Sequence, residues 1–104
     1  MIDKKIEFDE RYDDGEGMTT LYFTAPKELL DGDYPEAVSM EISVELPTDK
    51  MEAKYADVSL SPTRYIEEDD SYEDYDWYDV VMSYEDIEEL IDLAKKSDKF
   101  NVIY

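Results

Sequence analysis

Carboxylates dominate the residues of this chain that could do chemistry. The stretch EEDDSYEDYDWYD, residues 67–79, holds eight of them together with four aromatic rings. Carboxylate oxygens can bind hard divalent cations, transfer protons as a general acid–base pair, or attract a cationic partner through their summed field. The stretch therefore raises three possibilities: a metal site, a catalytic pair, or a surface that another protein recognises.

This chain lacks the residue types that most catalytic mechanisms use. There is no His and no Cys, which removes histidine-based triads, thiol nucleophiles and zinc sites with nitrogen or sulfur ligands. The three glycines, Gly15, Gly17 and Gly32, cannot form a glycine-rich phosphate loop. An EF-hand aligned on Gly15 would place Tyr12 and Leu21 at ligand positions, so that motif does not fit. We therefore predict a non-enzymatic protein with no catalytic residue, cofactor or dedicated metal site; a carboxylate-dependent or divalent-metal enzyme is the less favoured alternative.

The charge is both large and unevenly distributed. Thirty acids and ten bases give a formal net charge of −20. The thirty residues between Arg64 and Lys95 contain thirteen of the acids and no base. Binding to nucleic acid or to an anionic membrane requires lysine and arginine, so we expect neither. We expect the partner to be a basic protein surface, such as that of a nuclease or another nucleic-acid-binding protein.

A strand followed by a helix would hold these acidic side chains at regular spacings. Alternate strand residues share a face about 6.6 Å apart, and helical residues three or four positions apart are neighbours. Such a row would imitate nucleic-acid phosphates, and the aromatic rings would anchor it. The alternative is a solvated acidic face with Tyr75 and Trp77 in the core. The predicted partner-binding residues are Glu67, Glu68, Asp69, Asp70, Glu73, Asp74, Asp76, Trp77, Tyr78, Glu85, Glu88, Glu89 and Asp92.

The elements that must position these residues are mostly strands. Apolar residues at every second position predict a half-buried strand, and the segment 37–47 shows the clearest case. Turn residues in RYDDGEG and EEDDS separate the strands, and Ser61-Pro62 is expected to interrupt or bulge one of them. Residues 26–36 are expected to connect two strands, with one helical turn at Pro26 to Leu30. Strands are predicted at 2–9, 18–25, 37–47, 51–66 and 72–82, with Val38, Met40, Ile42, Val44 and Leu46 on the core side of the third.

One helix follows the strands, at about 84–97. Its apolar stripe has the i, i+3, i+4, i+7 spacing, with Ser83 as N-cap and Asp86 in the capping-box position. The final FNVIY predicts a short terminal strand or a docked tail. The sequence thus predicts an α+β fold in one domain, residues 1–104: an antiparallel sheet of about five strands with the C-terminal helix on one face. The stripe consists of Ile87, Leu90, Ile91 and Ala94.

In size and charge, the chain is similar to small acidic antagonists encoded by phages and mobile elements, which include DNA mimics that block restriction or CRISPR nucleases. It is also similar to acidic immunity proteins that neutralise basic nuclease toxins. The resemblance implies inhibition of a basic protein that handles nucleic acid, and it assigns no residue roles. A small regulatory or structural domain with incidental charge is a further alternative. Neither a secretory signal nor an apolar membrane span is evident in the sequence, so we expect a cytoplasmic protein.

Overall fold

The protein combines a curled antiparallel sheet with a C-terminal helix. The computed structural model describes residues 6–26, 37–74 and 77–101. Within these residues the sheet order is β1-β2-β3-β4-β5, and β6 also pairs with β4, beside β5. The predicted α+β class is confirmed. The strands are β1 (Glu7–Asp13), β2 (Met18–Ala25), β3 (Ala37–Pro47), β4 (Asp57–Ile66), β5 (Ser71–Asp74) and β6 (Tyr78–Val80), and the helix is α1 (Tyr84–Lys95).

Strands β2 and β3 have the predicted bounds, because the runs of strand-forming residues that predicted them end at the turn or connecting residues on either side. Their inward side chains form the middle of the core. The exception is Val38, which was predicted to be buried but is 52% exposed, while Ala37 is buried instead. A bulge between Ala37 and Ser39 in the pairing with β4 shifts the alternation by one residue there.

The first strand extends further along the chain than predicted. Arg11 and Tyr12, expected in a turn, lie in β1, and a bulge between Phe8 and Glu10 interrupts its pairing with β2. The reversal occurs at residues 14–17, where Gly15 and Gly17 have φ angles of 78° and 97°. Only glycine adopts such angles without strain, so these two residues fix the position of the hairpin. The predicted start of the strand, residues 2–5, lies outside the described residues, as does 27–36 of the predicted connection.

Strand β4 passes through Ser61-Pro62 without the predicted interruption. Its pairing with β3 is continuous there, and both residues are buried. The break occurs on the other side, where β6 pairs with residues 58–60 and β5 with residues 63–66. The predicted strand 72–82 is therefore two short strands, with Trp77 outside both. Pro62 has no N–H to donate to a neighbouring strand, which is consistent with a break at this position.

The helix matches its predicted stripe. Ile87, Leu90, Ile91 and Ala94 are buried against the sheet core, and the Ser83 Oγ accepts a hydrogen bond from the Asp86 N–H at 3.2 Å. The helix ends at Lys95, two residues before the predicted end, and a 3₁₀ turn follows at Asp98–Asn101. We call the side of the sheet covered by α1 the inner face and the opposite side the outer face.

The tail after the helix docks on β1. Phe100 is buried, and the Arg11 guanidinium lies 4.7 Å from the centre of its ring. Arg11 also forms a bidentate pair with Asp13, at 2.9 and 3.1 Å. The hydrogen bonds from Arg11 lower the pKa of Asp13 below its ordinary value. Of the two predicted forms of FNVIY, a short strand or a docked tail, the first residues adopt the docked tail, as a 3₁₀ turn, and not the strand. Residues 102–104 lie outside the described part of the chain.

Candidate interaction surface

The acidic turn of residues 67–70 is the tip of the β4–β5 hairpin. All four side chains are exposed, and the chain reverses between Ile66 and Ser71. Asp70 has a φ of 48° and accepts a hydrogen bond from the Tyr65 hydroxyl. This bond favours the neutral phenol and raises the pKa of Tyr65. The predicted turn is therefore correct, and its carboxylates are at the solvent-facing end of the hairpin.

The predicted partner-binding residues do not share one surface. Asp74 lies on the outer face, where it accepts a hydrogen bond from Thr63 at 2.7 Å. Glu73 alternates to the other face and pairs with Arg64 at 2.5 Å. The helix covers the inner face, so its exposed stripe points away from the sheet on that side. The fold thus separates Asp74 from Glu85, Glu88 and Asp92, which are exposed, and from Glu89, which is half-buried.

The aromatic residues of the predicted surface also separate. Trp77 is 42% exposed and lies between β5 and β6, so its alternative assignment to the core is wrong. Tyr78 is half-buried and packs against the core, which leaves little of it for a partner. Tyr72 is 70% exposed on the outer face and stacks at 5.4 Å on Tyr65. Asp76 and Tyr75 lie outside the described residues.

A different group of carboxylates does share a surface, the outer face of the sheet. Cross-strand register places Glu45 of β3 opposite Asp57 of β4, and Glu10 of β1 opposite Tyr22 of β2, while Glu41 of β3 lies four residues from Glu45 on the same side. These residues alternate with the buried ones along every strand, so they project on the side opposite the helix. We call this surface the acidic face and define it by Glu7, Asp9, Glu10, Glu41, Glu45, Asp57, Asp74 and Asp79.

The described part of the chain places no basic side chain on the acidic face. Arg11 is held on the inner side by Phe100, and Arg64 pairs with Glu73. The five other basic residues that the structure describes lie in the segment after β3, at the end of the helix or beyond it. They are Lys50, Lys54, Lys95, Lys96 and Lys99. Charges of one sign without counter-charges reinforce one another, so the acidic face carries a strong negative potential.

Hydroxyl groups hold several of these carboxylates in place. The Thr24 hydroxyl donates to Asp9 at 2.5 Å, and the Ser59 hydroxyl donates to Asp79 at 3.0 Å. Each bond links neighbouring strands of the sheet, as does the bond from Thr63 to Asp74. The bonds lower the cost of bringing like charges together and leave the other carboxylate oxygens available to accept from a partner.

Glu41 is the electrostatic centre of the acidic face. It is half-buried, and its desolvation raises its pKa to about 7, together with repulsion by the adjacent Asp74 and a hydrogen bond that the protonated Glu41 donates to Asp74. Asp9 and Glu10 of β1 add to the shift. The same environment raises the pKa of Tyr22, mainly through burial and then through Glu41. At neutral pH, Glu41 is thus protonated in a large fraction of molecules and donates a hydrogen bond to Asp74.

This arrangement was only partly visible in the sequence. The alternation in 37–47 places Glu41 and Glu45 on the solvent-exposed face of a strand. The predicted partner-binding residues all lie between 67 and 92, because the acids are densest there in the sequence. Five members of the acidic face, however, come from β1 and β3, and no sequence window contains them together. The cross-strand register is the signal that joins them, and a single sequence does not give that register.

The described residues show neither a metal-binding cluster nor a membrane-spanning helix. Among the described residues, no three acidic side chains are arranged to hold a metal ion. Within the same residues, no helix has the length and apolar character needed to cross a membrane. Comparisons with protein-family models, curated proteins and solved structures found no match to this chain. The geometry of the acidic face is therefore the feature from which we propose a function.

The raised pKa of Glu41 predicts a pH-dependent stability. Because this pKa is near 7 when folded and about 4.5 otherwise, the stabilising contribution of the proton is complete below pH 4.5 and is lost as the pH rises through 7. The full shift would correspond to roughly 3 kcal/mol, and solvent screening of this part-exposed group reduces the expected effect to about 1 kcal/mol. We expect Glu41→Gln to raise the free energy of unfolding by about that amount at pH 8 and to change it little at pH 4.5.

Urea denaturation at both pH values measures this difference. Glu45→Gln, on the same strand and the same face, is the matched control because Glu45 is exposed and is not hydrogen-bonded to another acid in the described contacts. A stabilisation by E41Q that is the same at pH 4.5 and pH 8 would contradict the raised pKa of Glu41.

Proposed function

We propose that this protein is a non-enzymatic binding protein that inhibits a basic, nucleic-acid-handling protein by occupying its cationic surface with the acidic face. The observation that carries the proposal is the outer face of the sheet: eight carboxylates on strands, with no basic side chain among the described residues of that face. A surface that served only solubility would not need its charges gathered on one side and held by hydrogen bonds. We expect the interaction to take place in the cytoplasm.

The spacing of the charges supports nucleic-acid mimicry. Glu41 and Glu45 are four residues apart on β3, so about 13 Å separates them along the strand, and neighbouring strands are about 4.8 Å apart. Asp57 lies opposite Glu45 across this narrower gap. A partner whose groove binds regularly spaced phosphates would meet a two-dimensional set of anions with comparable intervals. The sheet fixes the set before binding, which limits the entropy lost on association.

The acidic hairpin tip extends this surface at one end. Residues 67–70 follow β4, whose outer side chains belong to the same face, and Tyr65 and Tyr72 form an exposed aromatic pair beside Asp74. Tyrosine contributes large contact area at low entropic cost and is common in interface hot spots. We therefore retain Glu67, Glu68, Asp69, Asp70 and Asp74 as partner-binding residues. The helix stripe, on the opposite side of the sheet, is not part of the proposed surface.

A carboxylate-dependent enzyme is the second candidate, and the Glu41–Asp74 pair is the observation that favours it. The pair lines a shallow hollow of about 620 Å³ with Thr24, Thr63 and Tyr72. A protonated Glu41 could donate a proton while Asp74 accepts one, as paired acids do in acid–base catalysis. This candidate requires turnover that Glu41→Gln abolishes, whereas the binding proposal expects that variant to bind its partner no more than about fivefold more weakly, the value of one exposed charge pair.

Salt dependence tests the binding proposal. The immobilised protein should capture its partner at 50 mM NaCl and release it in a step to 500 mM, because exposed charge pairs are screened within a Debye length of about 4 Å at that ionic strength. Captured partner should also be released by duplex DNA at low salt, since DNA competes for the same cationic surface. Release by DNA would support a nuclease or other nucleic-acid-binding partner. Binding that resists both salt and DNA would contradict the proposal.

A further inference from the structure

A second hollow lies beside the short strand β6. Its volume is about 490 Å³, within the range typical of ligand pockets. Strand β6 is only three residues long, so it leaves part of the region between β4 and the start of α1 uncovered. We call this depression the β6 hollow. Its apolar lining consists of Ala56, Val58, Val80, Met82 and Ile87.

Two exposed side chains extend this apolar lining to the surface. Val81 is fully exposed, and Tyr84 is 63% exposed, although both border the hollow. Neither residue contributes to the core cluster. The rest of the lining is polar, from Ser43, Ser59 and three carboxylates, so the apolar part of the hollow is a patch within it. Exposed apolar groups that adjoin such a patch in a depression are a recurrent mark of an interaction site. The hollow is thus suited to an apolar side chain that arrives from outside.

The rim of the β6 hollow belongs to the acidic face. Glu45, Asp57 and Asp79 line the hollow and are members of that face, so the two surfaces are continuous. The Ser59 hydroxyl holds Asp79 at the rim through its hydrogen bond. A ligand that enters the hollow must therefore pass carboxylates on one side. Charge complementarity selects a ligand with basic groups next to its apolar group.

We infer that the β6 hollow receives an apolar side chain of the partner that is flanked in its sequence by lysine or arginine. This inference rests on the proposed function and makes it more specific. The acidic face attracts and orients the partner, and the hollow adds a contact that salt does not screen. The partner would then be recognised by an apolar anchor as well as by its charge.

Two matched peptides test the inference. Each contains eight lysines, with tryptophan at the centre of one and serine at the centre of the other, so their charges are equal. We expect the tryptophan peptide to bind about tenfold more tightly by fluorescence anisotropy, and the ratio to persist as salt weakens both peptides. In amide NMR spectra, only the tryptophan peptide should shift residues 80–84, while both peptides shift Glu41, Thr63 and Asp79.

Variants with exposed substitutions localise the effect. V81S/Y84S removes exposed apolar surface from the hollow without changing charge or core, and it should reduce the tenfold ratio to below threefold. Tyr12→Ser, which alters an exposed tyrosine of β1 away from the hollow, should leave the ratio unchanged. Equal binding of the two peptides, or an unchanged ratio in V81S/Y84S, overturns this inference and leaves the proposed function intact. If neither peptide binds at low salt, the proposed function itself fails and the inference fails with it.

Discussion

Reversing three charges of the acidic face, in the variant E41K/E45K/D57K, is expected to weaken binding to a cationic partner by a hundredfold or more. Each lost charge pair is worth about 1 kcal/mol, and each new lysine also repels the partner. Three such changes sum to about 3–4 kcal/mol, which corresponds to a factor of several hundred. The fold should tolerate the change, because Glu45 and Asp57 are exposed and a lysine at position 41 would face Asp74, Asp9 and Glu10.

The helix offers a control of identical charge. E85K/E88K/D92K also replaces three acids with three bases, so both variants change the formal net charge from −20 to −14. These residues lie on the exposed stripe of α1, on the other side of the sheet, and we expect the helix variant to bind within about threefold of wild type. Equal losses in both variants would mean that net charge, not the arrangement of the acidic face, attracts the partner. The affinity for the captured partner, or for the lysine peptides, is the measurement.

Leu90→Ala is expected to be the most destabilising single substitution of the helix. Leu90 is fully buried where α1 meets the inner face, and Leu→Ala changes at such sites cost about 2–5 kcal/mol. Domains of this size have total stabilities of only about 5–15 kcal/mol, and a net charge of −20 reduces the reserve through self-repulsion. The variant should therefore be partly unfolded at low salt and recover when added salt screens the repulsion.

Leu93→Ala is the matched control for this substitution. Leu93 lies on the same helix but is only half-buried, so we expect its substitution to lower the free energy of unfolding clearly less. Urea titration of both variants measures the difference. If the two variants lost equal stability, or if Leu90→Ala cost less than 1 kcal/mol, the helix would not be packed on the sheet as described. The assignment of an inner and an outer face would then fail, and with it the definition of the acidic face.

The two predictions test different parts of one arrangement. A sheet with one covered face must present its other face to solvent, and alternation along the strands sends polar side chains there. Leu90→Ala tests which face the helix covers, and E41K/E45K/D57K tests whether the uncovered face binds the partner. Unless the helix covers the inner face, nothing in the fold would gather the carboxylates of β1 and β3 on a single exposed surface.

The sequence alone determined the central elements of this protein. The β-branched and aromatic run in β2, the alternation in β3, the stripe from Ile87 to Ala94 and the Ser83 cap are local patterns. Without tertiary information they predicted the bounds of both strands, the start of the helix, and most of the inner side chains of β3 and the helix. Local patterns failed where pairing between strands overrides alternation. The bulge that exposes Val38 and the division of 72–82 into β5 and β6 depend on the neighbouring strand.

Only the tertiary structure decided which charges lie together. Sequence proximity grouped the carboxylates of 67–92, but the fold places the helix stripe and Asp74 on opposite sides of the sheet, because α1 covers the inner face. Conversely, Asp9, Glu41 and Asp74 are far apart in sequence, yet antiparallel register places them on the same face. Charge composition is a property of the chain, whereas a charged surface is a property of the pairing between its strands.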